Sequence, residues 1–267
     1  MEVRLQDNFR KVVLLFIGFT IGMHVAVFLH ELGHALGIWL SGGTVTAIVM
    51  EAPLPIGYVA GANGSDFTRI WGGVAFGSLS TLIPLLAAKR LSAPPPIRFA
   101  MLMIAAFCLG HNAVYLFVGS IVPFADAAQM IGQLGTPRWL LFLLSIPLLI
   151  GFVLVLTSAI QSAGLCPTDS VWTWILVIEL GLLATPALML TAPIFVPTAR
   201  ALRSPMLLLV STYAVCFCIV AFRGHSLIAW RGADIDRSQR LQNWSATLKL
   251  LVIAMLLIAV EWIVFSR

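Results

Sequence analysis

Charge is the scarcest property of this sequence. Lys, Arg, Asp and Glu make up 10% of its 267 residues, where a soluble domain carries roughly 25%. Sixteen basic and 11 acidic side chains cannot cover a water-soluble globule of this size, and a disordered or coiled-coil chain would need still more of them. Cysteine is scarce too. Of the four present, Cys108, Cys216 and Cys218 sit inside apolar runs and Cys166 stands alone, which excludes a disulfide framework and a CxxC metal pattern. A net charge of +5 would direct a soluble protein toward nucleic acid. Here the basic residues fall mainly between apolar runs, as membrane-flanking residues do, so nucleic acid is set aside as a partner.

What the sequence has in quantity is apolar length, with 60% of its residues hydrophobic. A helix that spans a lipid bilayer needs about 20 largely apolar residues, and about seven stretches qualify: 12–40, 70–88, 99–122, 139–160, 171–192, 206–222 and 247–265. The expected fold is an all-α polytopic membrane protein, integral and multi-pass, of about seven transmembrane helices. The first stretch follows Arg10 and Lys11 as a signal peptide would. It runs far beyond the length of an apolar signal region and lacks a small-residue cleavage site, so it is read as retained. Ser41-Gly42-Gly43 closes it, Pro94-Pro95-Pro96 precedes the third stretch and Thr136-Pro137 the fourth. In the long connection at 41–69, the β-branched run Thr44–Met50 and the following Pro53, Pro55, Gly57, Gly61 and Gly64 suit a short extended or β segment after the first helix. At membrane depth such backbone must border protein or a watery cavity. With the connections assigned to alternate sides, 11 of the 16 Lys and Arg lie on the side of the N-terminus, which favours a cytoplasmic N-terminus.

Inside the first stretch stands His30-Glu31-Leu32-Gly33-His34, an HExxH pattern. Residues four apart on a helix share a face, so His30 and His34 can each offer a ring nitrogen to one zinc ion. Glu31 lies beside them, placed to take a proton from water at the metal. His and Glu are expensive in a spanning helix, and three of them within five positions argue for a site over a polar cluster that merely lines a cavity.

At these residues the chain resembles the site-2 protease family of intramembrane zinc metalloproteases. The resemblance extends to Gly42-Gly43 and the extended segment after the motif, and to the small-residue helix Gly72-Gly73-Val74-Ala75-Phe76-Gly77-Ser78. The resemblance covers roughly residues 20–135; residues 1–135 are read as a metalloprotease-like membrane core, and residues 136–267, which match nothing in the family, as further helices of the same membrane domain. It also implies an Asp from a later helix as third zinc ligand, for which Asp126 in Val122-Pro123-Phe124-Ala125-Asp126-Ala127-Ala128 is the match. The family pattern has Gly after this Asp and Asn before it; this sequence has Ala127 and no Asn there.

Four acids compete for the third ligand on the residues alone: Asp126, Glu51, Asp66 and Glu179. The motif lies about 18 to 22 residues into its helix, roughly 27–33 Å at 1.5 Å per residue. Asp126 lies about 28 residues past the start of the third stretch, beyond the break at Pro123, at a similar depth if the two helices run in the same direction. A carboxylate ligand together with an ionised Glu31 would also neutralise the charge of zinc in a low-dielectric site. The expected set is therefore His30, His34 and Asp126 on Zn2+, with Glu31 catalytic. The expected reaction is hydrolysis of peptide bonds in a membrane-embedded protein substrate. A zinc transporter and a non-proteolytic zinc-binding membrane protein are the alternatives.

The remaining polar residues read as structural. His24 is a satisfied core histidine, and Gly73 and Gly77 form a GxxxG packing face. His111-Asn112 is a packing pair, with a substrate-carbonyl role for Asn112 as the alternative. Arg223, Arg231, Arg237 and Arg240, with Trp230 and Trp244, form an interfacial anchor, and His225 among them is solvated.

Overall fold

The computed structural model describes residues 2–50, 57–90, 95–163, 175–177, 179–180, 208–221 and 244–265. Helix α1 (Glu2–Leu40) has 39 residues and no interior proline, about 58 Å at the rise of an α-helix. It ends where the sequence places its stop. Gly42 takes φ +81°, and the amides of Gly42 and Gly43 donate to the Trp39 and Ile38 carbonyls, a left-handed termination that glycine adopts without a side-chain clash. Strands β1 (Thr44–Met50) and β2 (Gly57–Ala62) form an antiparallel pair running from Thr44 opposite Ala62 to Met50 opposite Gly57, with a bulge between Val45 and Ala47. Ser41 Oγ accepts the Ser65 amide at 2.9 Å, which ties the exit of the hairpin to the end of α1.

Helices α2 (Asp66–Leu79) and α3 (Leu82–Arg90) follow, then α4 (Pro95–Ile121), α5 (Ala125–Gly132), α6 (Arg138–Ser162), α7 (Leu208–Ala221) and α8 (Trp244–Phe265). α1 packs against α2 and α4, and α4 against α6. An aromatic cluster joins α1, α4, α6 and α7: Phe19 meets Phe107 edge-on at 4.6 Å, Phe107 meets Phe152 at 5.6 Å, and Tyr213 stacks on Phe217 at 5.7 Å. Such ring pairs add about 0.5–1.5 kcal/mol each beyond their area burial.

Four helical stretches are long and apolar enough to cross a membrane: Asn8–Leu40, Asp66–Arg90, Pro96–Ile121 and Arg138–Ser162. They coincide with the first four stretches read from the sequence. The apolar helices Leu208–Ala221 and Leu248–Val260 coincide with the sixth and seventh, while most of the fifth, 171–192, lies outside the described residues. So does the 222–243 segment with its arginines, Trp230 and His225. Two local details differ from the sequence reading. The second stretch is broken by a turn at Ser80 and Thr81, because Pro84 has no N–H to donate to the Ser80 carbonyl and its ring crowds that turn. The connection after α4 contains the short helix α5, which begins once Pro123 has ended the longer one.

Polarity is distributed in the reverse of a water-soluble bundle. α6 exposes Trp139, Phe142, Leu143 and Ile150, and α8 exposes Leu248, Met255 and Leu256, whereas His24, His30, Glu31, His34 and Asn112 are buried.

Candidate metal centre

Three side chains from two distant parts of the sequence meet between α1, α2, α4 and α5. His30 and His34 project from the same face of α1, with Nε2 atoms 3.0 Å apart. Asp126, in the first turn of α5, places Oδ2 3.1 Å from His30 Nε2 and 2.9 Å from His34 Nε2. Among the described residues, His30, His34 and Asp126 form the one group of three or more His, Cys, Asp or Glu side chains that could hold a metal ion.

The proton positions on the two rings follow from what lies behind them. Asn112 is fully buried, and its amide nitrogen donates to the Cys108 carbonyl at 3.0 Å. That carbonyl can only accept, so Asn112 Oδ1 must be the atom 2.8 Å from His30 Nδ1, and Nδ1 must carry the ring proton and donate it. His34 Nδ1 likewise donates to the Arg69 carbonyl at 2.7 Å. Both Nε2 atoms therefore aim lone pairs at one point, beside a carboxylate oxygen. In the neutral rings three acceptors this close repel one another unless a proton or a metal cation stands among them, and the arrangement can hold a metal ion.

The surrounding backbone is shaped to the rings. A Cβ on Gly73 would stand 2.5 Å from His34 Nε2, and one on Gly77 would stand 2.7 Å from the Asn112 amide nitrogen. The GxxxG face of α2 is thus a packing face, as the spacing predicts, and what it packs against is the histidine pair and its support. Gly33, inside the motif, meets the Gly72 backbone, and Gly37 meets that of Thr68, so the glycines of α1 and α2 let the two helices approach closely. α5 is carried to the histidines by a turn in which Ala125 takes φ +42°, a left-handed conformation costly for a residue with a side chain. The Ala127 methyl fits where Gly119 has no side chain. Tyr115 Oη accepts the Asp126 amide at 3.1 Å.

A cavity of about 310 Å³ opens at the cluster, lined by Glu31, Tyr58, His111, Tyr115 and Gln129 as well as the three ligand candidates. Glu31 lies under β2, where a Cβ on Gly57 would come within 2.7 Å of its Cγ. The other acids considered as ligands are elsewhere. Asp66 is exposed and paired with Arg69 at 2.9 Å, Glu179 accepts a hydrogen bond from Cys218 Sγ at 3.2 Å, and Glu51 lies outside the described residues. His24 is buried, with Nδ1 2.8 Å from the Thr20 carbonyl. Asn112 is fully buried and does not line the cavity; Oδ1 and one amide N–H are engaged within the protein, the packing role the sequence favoured.

Sequence reasoning missed three features here: the Arg69 carbonyl, the Tyr115 hydroxyl and the support Asn112 gives His30. Only the last had a signal, a buried-type amide in mid-helix one position after a histidine. Comparison with protein families, curated proteins and solved structures returns no match.

Proposed function

We propose that the protein is an integral membrane zinc endopeptidase. The observation that carries this reading is the convergence of His30 Nε2, His34 Nε2 and Asp126 Oδ2 within 3.1 Å of one another, in a cavity that Glu31 also lines. A tetrahedral zinc with bonds of 2.0–2.1 Å separates its ligand atoms by about 3.3 Å, so small side-chain movements would admit the ion. Two carboxylates, Asp126 and Glu31, would balance its charge inside an apolar body. Three protein ligands leave a position open, the pattern of catalytic rather than structural zinc. The apolar outer faces and the resemblance to the site-2 protease family support the membrane setting, and the seven apolar stretches of the sequence support a bundle of about seven spans.

Zinc, when bound, supplies a Lewis acid that makes water acidic near neutral pH and polarises a peptide carbonyl. Glu31 takes the proton from the attacking water and delivers it to the departing amine. Asn112 and Arg69 hold the two imidazoles with their lone pairs inward. A membrane-embedded substrate must present an unwound peptide to this cavity, because a helical carbonyl is already engaged.

The test uses Glu31→Gln in proteoliposomes with a membrane-embedded substrate. The variant should retain zinc and lose cleavage by about 100- to 10,000-fold, the usual worth of general-base catalysis. Transport of zinc by the wild type, abolished in Glu31→Gln, would replace the protease with a transporter. Full zinc without cleavage in the wild type would leave a binding protein.

A further inference from the structure

The cavity holds one more imidazole, for which the reading above has no task. Of the histidines among the described residues, His24, His30 and His34 all have ring nitrogens engaged by the protein. His111 has no hydrogen-bond partner among the described residues, and it lines the cavity beside Glu31 and Asp126. The ring is partly exposed, and its nitrogens are not among the sealed polar atoms that lack a partner, so they are open to whatever enters the cavity. Its ring stands edge-to-face with His30 at 5.0 Å and lies 5.7 Å from Tyr115, and its nitrogens are not part of the His30, His34 and Asp126 group. It therefore borders the same cavity as the three ligand candidates without belonging to their group.

Resting on the endopeptidase reading, we infer that His111 is a catalytic residue, donating a ring N–H to the carbonyl oxygen of the scissile peptide as that oxygen becomes negative. The position suits the task. Helix α4 is fixed one residue later by the buried Asn112, so the imidazole is held in place before substrate arrives, and a preorganised donor in a water-poor site is worth more than one in water. Such a donor stabilises the tetrahedral state more than the planar peptide, so its loss acts on kcat rather than on KM.

The experiment compares wild type, His111→Phe and His111→Gln as zinc-loaded full chains in proteoliposomes. It measures zinc content, kcat and KM on a membrane-embedded substrate, and affinity for a peptide phosphonamidate, whose tetrahedral anion resembles the transition state. His111→Phe keeps a ring against His30. It should hold full zinc and keep KM within about twofold, while losing about 100- to 1,000-fold in kcat and a comparable factor in phosphonamidate affinity. His111→Gln, which restores an N–H donor, should recover part of both. Wild-type kcat and phosphonamidate affinity in His111→Phe would overturn this inference and leave the endopeptidase reading intact. Loss of zinc from His111→Phe would overturn it differently, by making the ring a packing support for His30. A wild type that cleaves nothing would remove the endopeptidase reading and this inference with it.

Discussion

Replacing Asn112 by Leu changes one buried amide for an apolar group of similar size, and the structure allows the consequence to be followed to the metal. Asn112 Oδ1 accepts the His30 Nδ1 proton at 2.8 Å in a fully buried setting. Without that acceptor the proton is more stable on Nε2, where Asp126 or His34 can accept it. Zinc needs the Nε2 lone pair, so binding must then return the proton to a nitrogen that has no partner. An unsatisfied buried N–H costs about 1–3 kcal/mol, which at 1.4 kcal/mol per factor of ten is a loss of about 5- to 150-fold in zinc affinity. Removal of hydrogen bonds behind zinc-ligating histidines falls in the same range. The assay is competition for zinc against a chromophoric chelator in detergent, with thermal unfolding of the apoprotein as a check on the fold. Asn112→Asp, which keeps the acceptor for His30 but loses the donor that meets the Cys108 carbonyl, should recover part of the lost affinity. Wild-type affinity in a folded Asn112→Leu would refute the proton assignment and the support role built on it.

Two further substitutions test how the helices hold the ligands. Gly73→Ala places a methyl against the His34 ring and should lower zinc affinity at least tenfold, since the α2 backbone cannot retreat without disturbing the glycine contacts along α1; unchanged affinity by the same competition assay would show that the two helices separate easily. Gly119→Ala puts two methyl groups in one space and should push α5 and Asp126 away from the histidines, again weakening zinc binding. Adding Ala127→Gly should restore it, and failure of the double variant to recover would show that the Gly119 contact does not position Asp126.

The parts of the site that lie close together along the chain were readable from spacing alone. His30, Glu31 and His34 depend only on the helical period, and the stop at Ser41-Gly42-Gly43 only on the conformational freedom of glycine. Asp126 could be favoured by depth, but its approach to the histidines depends on the turn through Ala125 and on the Gly119 space, which are tertiary facts. The Arg69 carbonyl was invisible for a simpler reason. A backbone acceptor belongs to every residue, and only the approach of α2 to α1 through Gly33, Gly37 and Gly72 decides which one His34 meets. Asn112 shows an intermediate case, since its cost in an apolar helix indicated a buried partner without saying which. The turn within the second apolar stretch could have been read from Pro84, which the hydrophobic run around it concealed.

X-ray absorption at the zinc edge of the purified, zinc-loaded wild type tests the central claim most directly, because it reports the ligand atoms themselves. Two imidazole nitrogens with carboxylate or water oxygen at about 2.0–2.1 Å, and no sulfur, is the result expected of a zinc held by His30, His34 and Asp126. Asp126→Ala should lose the ion or show altered ligation in the same experiment. Sulfur at about 2.3 Å, or an unchanged spectrum in Asp126→Ala, would contradict the account.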